Sequence, residues 1–331
     1  MPIRIGFLGV AHMHAYGYGN AMPRLADKVD QRIGVWDENP ELAEKFANAC
    51  GATPYGSALA MLAEVDAAII TSENTRHAEY AEMAAQAGKH ILCEKPLVTS
   101  EADAKRMMDA VEKAGVKLST AFPCRYSPAF IKLRAKVETG EIGEVVAICA
   151  TNRGRCPFDW FVEKDKSGGG AMIDHVVHVA DLLRVLLASE PKRVQAQNGN
   201  NMYGKDWEDT AMLTIEFESG VFASLDSSWS RPQSYKTWGD VTMNVIGEQG
   251  VIELDMFGQN IDLHRESKGH TVSSFGSDLD TALVSDFVDC IIEDRPPTVT
   301  GFDGLQAARV AMAGYRSVAE GQPVLVQSLG L

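Results

Sequence analysis

Two short stretches of the chain carry side chains that could move a proton. In Asp174-His175-Val176-Val177-His178-Val179-Ala180-Asp181, Asp174 and His178 stand four residues apart, with Asp181 three further on. On a helix all three share one face. A carboxylate one turn from an imidazole can orient it and raise its basicity. That pairing suits acceptance of a proton from an alcohol under oxidation. An acid near the helix dipole followed by a satisfied core histidine has the same spacing, so the helix alone leaves both readings open. His175 lies off that face and is expected to be structural or a substrate contact. A metal site from Asp174, His175 and His178 lacks a fourth ligand, so no metal is expected.

The second stretch is Lys89-His90-Ile91-Leu92-Cys93-Glu94-Lys95-Pro96. An apolar run reads as a short buried strand of a parallel sheet, ending in a carboxylate, an ammonium and a proline. Ligands in open α/β sheets bind just beyond the carboxyl ends of the strands. Pro96 stops the strand and fixes the local backbone, so Lys95 is aimed rather than loose.

Such a sheet is expected from residue 3 onward. A strand over 3–8 leads into Gly9-Val10-Ala11-His12-Met13-His14, where a dinucleotide-binding fold places its GxGxxG turn. Only the first glycine is present. Ala11 stands where backbone must approach pyrophosphate, and His14 where helix and strand pack closely. A second strand over 32–36 ends in Asp37, suited to the adenosine ribose hydroxyls; a helix N-cap is the competing reading. Glu38 and Asn39 follow, with no Arg or Lys for a 2′-phosphate, so NAD is favoured over NADP. Helices over 15–27, 41–50 and 100–115 alternate with strands over 65–71, 89–93 and 116–121. The alternation implies right-handed crossovers in one doubly wound parallel sheet.

From residue 143 the pattern turns β-rich, with strand character over 145–153, 193–197, 210–217, 221–229, 241–246 and 251–255. The expected organisation is an α/β Rossmann domain over 1–122 and an α+β domain over 123–331 built on a large, open-faced, mostly antiparallel sheet. Late helices are expected over 278–293 and 303–321, the last packing back on the first domain.

The bulk composition agrees. At 331 residues the chain exceeds one ordinary core. A net charge of −14 argues against nucleic acid or an anionic membrane as partner. No apolar run approaches a membrane span. The six cysteines are scattered without a CxxC. With no signal-peptide shape at the start, a cytoplasmic protein with reduced thiols is expected.

Taken together, the stretches resemble the Gfo/Idh/MocA family. Ala87-Gly88-Lys89-His90-Ile91-Leu92-Cys93-Glu94-Lys95-Pro96 is similar to the family's AGKHVLCEKP signature, and Gly169-Gly170-Ala171-Met172-Ile173-Asp174 through His178 and Asp181 to its GGGALxDxGxHxxD. The resemblance implies that Lys95, Asp174 and His178 are the catalytic trio, with His178 taking the proton, Asp174 holding the imidazole and Lys95 bonding the reacting oxygen. It implies a cofactor site from Gly9, Ala11, His12, His14, Asp37, Glu94 and Lys95. Ser72, Asn74 and His77 join it, in a segment where Glu73 replaces the family's proline. Substrate contacts are expected from Arg125, Tyr126, Arg153, Asp159, Trp160 and His175. The implied activity is oxidation of a secondary alcohol of a sugar, cyclitol or related polyol by NAD, in a homodimer or homotetramer. Two alternatives stand beside it: a non-enzymatic dinucleotide- or sugar-binding regulator, motivated by the altered glycine turn, and a redox-neutral lyase or isomerase using transient oxidation.

Overall fold

The computed structural model describes residues 2–267 and 269–326, so the last five positions of the second expected domain lie outside the described residues. Six strands, β1 (Ile5–Leu8), β2 (Gly34–Trp36), β3 (Thr53–Pro54), β4 (Ala67–Ile70), β5 (His90–Cys93) and β6 (Leu118–Thr120), form one sheet in the order β3-β2-β1-β4-β5-β6. Every pairing in it is parallel. The order reverses between β1 and β4, the switch point where such sheets bind ligands.

Helices α1 (His14–Ala21), α2 (Pro40–Cys50), α3 (Ala58–Glu64), α4 (His77–Gln86) and α5 (Glu101–Ala114) cover its two faces. Alternate strand residues feed the two layers, as the strand period of two requires. Ile5, Phe7, Ile69 and Leu92 enter one core, while Leu8, Ile70, Ile91 and Cys93 enter the other. Local chemistry sets the helix ends. Ser57 and Ser100 accept amides at the starts of α3 and α5, and Gly115 stops α5 in the left-handed conformation. Asn39, not Asp37, caps α2, which frees Asp37 from the competing role.

After α6 (Pro128–Glu138) comes the second sheet: β7 (Val145–Gly154), β8 (Pro191–Gly199), β9 (Thr210–Phe217), β10 (Phe222–Ser228), β11 (Gly239–Gly247) and β12 (Gly250–Asp255). The short α7 (Lys164–Ser167) and long α8 (Ala171–Leu187) lie between β7 and β8. A hairpin of β13 (Asn260–Arg265) and β14 (Gly269–Ser274) stands apart. Helices α9 (Leu279–Ile292) and α10 (Gly301–Glu320) and strand β15 (Val324–Leu325) finish the described chain. The sheet order is β12-β11-β7-β10-β9-β8-β15, antiparallel except that β7 and β10 run parallel.

Helices α8 and α10 cover one face of this sheet, and nearly every residue of α8 is buried. On the other face Met212, Phe222, Ile246 and Val251 stay exposed. Helix α9 returns to the first sheet, where Leu283, Val284, Phe287 and Val288 join the core of Ile5 and Phe7. Leu305 and Ala308 of α10 enter the opposite layer, while Ala307 and Val310 enter the second-sheet core. Among the described residues no helix is long and apolar enough to cross a membrane.

Candidate active site

Lys95 leaves the carboxyl end of β5 and meets the first turn of α8. Its Nζ stands 2.5 Å from Asp174 Oδ1, and both side chains are buried. The other carboxylate oxygen accepts the Trp229 indole N–H at 3.0 Å, from just beyond β10. His175 Nε2 lies 3.2 Å from the same oxygen, a close contact without hydrogen-bond alignment. Burial opposes ionisation of Asp174, but Lys95 and then His175 hold its carboxyl well below the usual range.

A glycine run delivers Asp174 to this place. The Gly170 amide donates to Glu208 Oε1 at 2.7 Å, and a Cβ there would stand 2.2 Å from the Glu208 carbonyl oxygen. Only glycine lets that carboxylate satisfy the open amides at the start of α8.

The geometry corrects the expected Asp174–His178 bond. The helical spacing permits it, but Lys95, Trp229 and His175 occupy the carboxylate instead. His178 lines the same cavity as Lys95 and Asp174, its Nδ1 buried without a hydrogen-bond partner. Burial, then the nearby Lys95 charge, pushes its imidazole well below the ordinary value. The cavity wall also includes Asn152, Phe161, Trp238 and Phe257. Sequence reasoning missed these and Trp229, because no local pattern marks them: Trp229 comes 55 residues after Asp174.

Both histidines of the glycine turn line this cavity. His14 Nδ1 donates to Glu94 Oε1 at 2.9 Å, and Tyr18 donates to the same oxygen. Glu94 Oε2 accepts the Lys95 amide at 2.9 Å. Burial opposes its ionisation, but His14, His12 and Lys95 hold Glu94 well below the carboxylate range. His12 Nδ1 accepts the His14 amide at 3.1 Å, so its Nε2 carries the proton and is buried unpartnered. His12, His14 and Glu94 could in principle bridge a cation, all three ligand atoms lying within 4.8 Å of one another. His14 Nδ1 and Glu94 Oε1 are already bonded to each other, and His12 Nδ1 to the His14 amide.

A separate groove runs from Ala11 past Asp37, Glu38 and Asn39 to Glu73 and Tyr80. Gly9 has φ +79°, and a Cβ there would meet Ser72 Cβ at 2.6 Å, so the tight turn needs glycine. Asp37 Oδ2 accepts the Val10 amide at 2.7 Å, which holds the acid against the turn. Groove, turn and acid together fit a dinucleotide. One departure is that the His12 amide donates to the Thr71 carbonyl at 2.8 Å.

Several expected contacts fall elsewhere. Ser72, Asn74 and His77 are buried and line neither cavity nor groove. The His77 ring faces the Pro96 and Ser72 carbonyls at 2.8 and 3.3 Å, and Asn74 donates to the Ser167 carbonyl at 2.9 Å. They tie the end of β4 to the segments that position Lys95 and α8. Asp159 and Trp160 face the dinucleotide groove rather than the cavity, and the Trp160 indole donates to the Ala11 carbonyl at 3.2 Å. His175 supports from beneath, its Nδ1 donating to the Asn152 carbonyl at 3.0 Å. Tyr126 donates to Asp286 at 2.9 Å, and Arg153 pairs with Asp240 at 3.1 Å.

Arg125 forks onto both oxygens of Asp181, at 2.6 and 2.7 Å, and reaches Asp303 at 3.0 Å. This buried network joins α8 to α10, and Arg125 lines neither site. Arg125→Ala should therefore cost roughly 3–5 kcal/mol in urea unfolding, the range for breaking a buried pair, and leave NADH binding intact.

Residues 3–122 match the family described as "Oxidoreductase family, NAD-binding Rossmann fold", and residues 130–253 match "GFO/IDH/MocA C-terminal domain". The chain is 30% identical over 276 residues to the uncharacterized oxidoreductase YrbE of Bacillus subtilis, covering 80% of this chain and 79% of that protein. It is 28% identical over 278 residues to the myo-inositol 2-dehydrogenase of Thermotoga maritima, covering 80% and 81%. The crystal structure of GenD2 from gentamicin A biosynthesis, solved in complex with NAD, superposes with a TM-score of 0.89 at 25% identity. That match covers 98% of this chain and 96% of the other.

Proposed function

The chain belongs to the Gfo/Idh/MocA family of NAD-binding oxidoreductases, and on that premise we propose that it moves hydride between NAD and a secondary alcohol of a sugar, cyclitol or related polyol. The observation that carries this reading is the buried Lys95–Asp174 pair at 2.5 Å, beside His178 in one cavity at the carboxyl end of β5. The dehydrogenase relative named for an inositol supports the polyol class.

When bound, NAD supplies the hydride acceptor. The rest falls to side chains. Lys95, aimed by Asp174, donates to the reacting oxygen and stabilises the negative charge that grows there. His178 takes the hydroxyl proton, and its low affinity for that proton keeps the ring free to accept it at neutral pH. Trp229 and His175 keep Asp174 facing Lys95. The uncovered face bearing Met212, Phe222, Ile246 and Val251 supports assembly as a homodimer or homotetramer.

Asp37 is the ribose acceptor in this reading. Arg76, a cation near the groove, is engaged by Glu38 at 2.8 Å and Glu79 at 2.9 Å, which supports NAD over NADP. Fluorescence titration with NADH and NADPH tests this. The protein should prefer NADH. Asp37→Ser should weaken NADH binding by roughly tenfold or more, since a hydrogen bond to a charged group is worth about 1.5–3 kcal/mol. A screen of polyols for NAD⁺ reduction tests the activity, and NADH binding with no turnover of any polyol would sink the substrate class.

A further inference from the structure

Three imidazoles, His12, His14 and His178, line the reacting cavity, and the last two, from different elements, are held in opposite ways. His178, on α8, is buried with Nδ1 unpartnered. His14, at the start of α1, is oriented by a carboxylate: its Nδ1–H donates to Glu94 at 2.9 Å, which leaves Nε2 as a free base. Glu94 is itself fixed by Tyr18 and the Lys95 amide. Carboxylate, imidazole and open nitrogen are the parts of an oriented general base. About a third of the His14 side chain is exposed (34%), while His178 as a residue is 8% exposed, so His14 is the one in touch with water.

We propose that the Glu94–His14 couple is the onward proton acceptor of this cavity, carrying to solvent the proton that His178 takes from the substrate hydroxyl. The proposal rests on the oxidoreductase reading above. In the step, the substrate O–H bond breaks to His178 as the C–H bond breaks with its electron pair to the nicotinamide, leaving a carbonyl. The proton then leaves His178, crosses by cavity water to His14 Nε2, and exits to bulk water. Glu94 stays ionised and balances the imidazolium.

The surrounding charges agree with this direction of travel. His14 is faced by Glu94, Tyr18 and Asp280, by the Lys95 ammonium, and by the imidazoles of His12 and His178. Burial opposes its protonation, but Glu94 outweighs it and raises the His14 imidazole above its ordinary value, while that of His178 falls. Protons therefore pass from the poorer holder to the better one.

The test uses the full chain and whichever polyol the wild type oxidises. His14→Gln should lower kcat by roughly 10²-fold at neutral pH, within the range for one acid–base group. NADH binding should persist, and free imidazole in the buffer should restore part of the lost rate. Release of protons to an indicator dye should lag behind NADH formation. In Glu94→Gln the acidic limb of the pH profile should move to lower pH, because His14 loses the charge that raised it. Wild-type kcat in His14→Gln, or a loss that imidazole does not rescue while NADH still binds, overturns the proposal and leaves the oxidoreductase reading standing. A wild type that reduces NAD⁺ with no polyol overturns that reading, and this inference with it.

Discussion

Lys95→Met should lower kcat by about 10²–10³-fold, the range for removing one donor to a developing oxyanion. It should also destabilise the fold by roughly 3–5 kcal/mol, because Asp174 is left as a buried charge without its cation. The two losses are separable. In Lys95→Met/Asp174→Asn the unpaired charge is gone, so stability should return in part while activity stays low, a coupling that a double-mutant cycle in urea reads directly. The pH dependence has a defined sign. In the wild type Asp174 titrates below its unfolded value, so its stabilisation is present above the usual carboxylate range and fades as pH falls through it. Without Lys95, the largest influence holding the carboxyl down is gone, and burial pushes it up against His175. The stability gap between wild type and variant should therefore be widest at neutral pH and narrow on acidification. A gap independent of pH would mean that Lys95 acts through packing alone.

His178→Leu should behave in the opposite way. It removes the proposed first proton acceptor and should lower kcat by roughly 10²–10⁴-fold. Yet it should leave stability unchanged or raise it, since a buried unpartnered ring nitrogen costs about 1–3 kcal/mol. His178, His12 and His77 are all pressed toward the neutral form by burial. Each contributes stability above its unfolded value that is lost as pH drops toward the lowered folded one. His178→Leu should thus flatten one part of the acid-side decline in urea midpoint. An unchanged kcat, or a large drop in stability, would remove His178 from the proton path.

Much of this was legible because the signals are local. Ser100 with Asp103 marks the start of α5, and Gly51 and Gly115 mark helix ends, since caps and left-handed stops depend on a few adjacent residues. Strand spans in the second sheet follow from their alternation. Helix α3 went unseen because seven residues after Ser57 are too few for a clear period. The parallel pairing of β7 with β10 was also hidden, since pairing joins residues far apart in sequence. The site divides in the same way. Lys95 and Asp174 could be nominated from their own neighbourhoods. Helical spacing offered Asp174 to His178, but spacing cannot see an ammonium arriving from another strand or an indole from a third element. His14 could be placed at the glycine turn, but not on a carboxylate 80 positions away. Arg125 read as a substrate group because Asp181 and Asp303, which claim it, come from two later helices.

The return of α9 and α10 to the first sheet bears on how the protein is made. Phe287 and Val288 complete one layer of the sheet that begins at Ile5, and Leu305 and Ala308 complete the other. A ribosome that has finished residue 122 has delivered every strand of the nucleotide-binding sheet and helices α1–α5, but not the residues of α9 and α10 that complete its two apolar layers. The nascent chain must keep both faces from sticking elsewhere until about residue 308 has emerged, at roughly 5–20 residues per second. Helices made after β12 thus close the sheet made first, and a premature stop anywhere before α9 leaves both of its apolar layers incomplete.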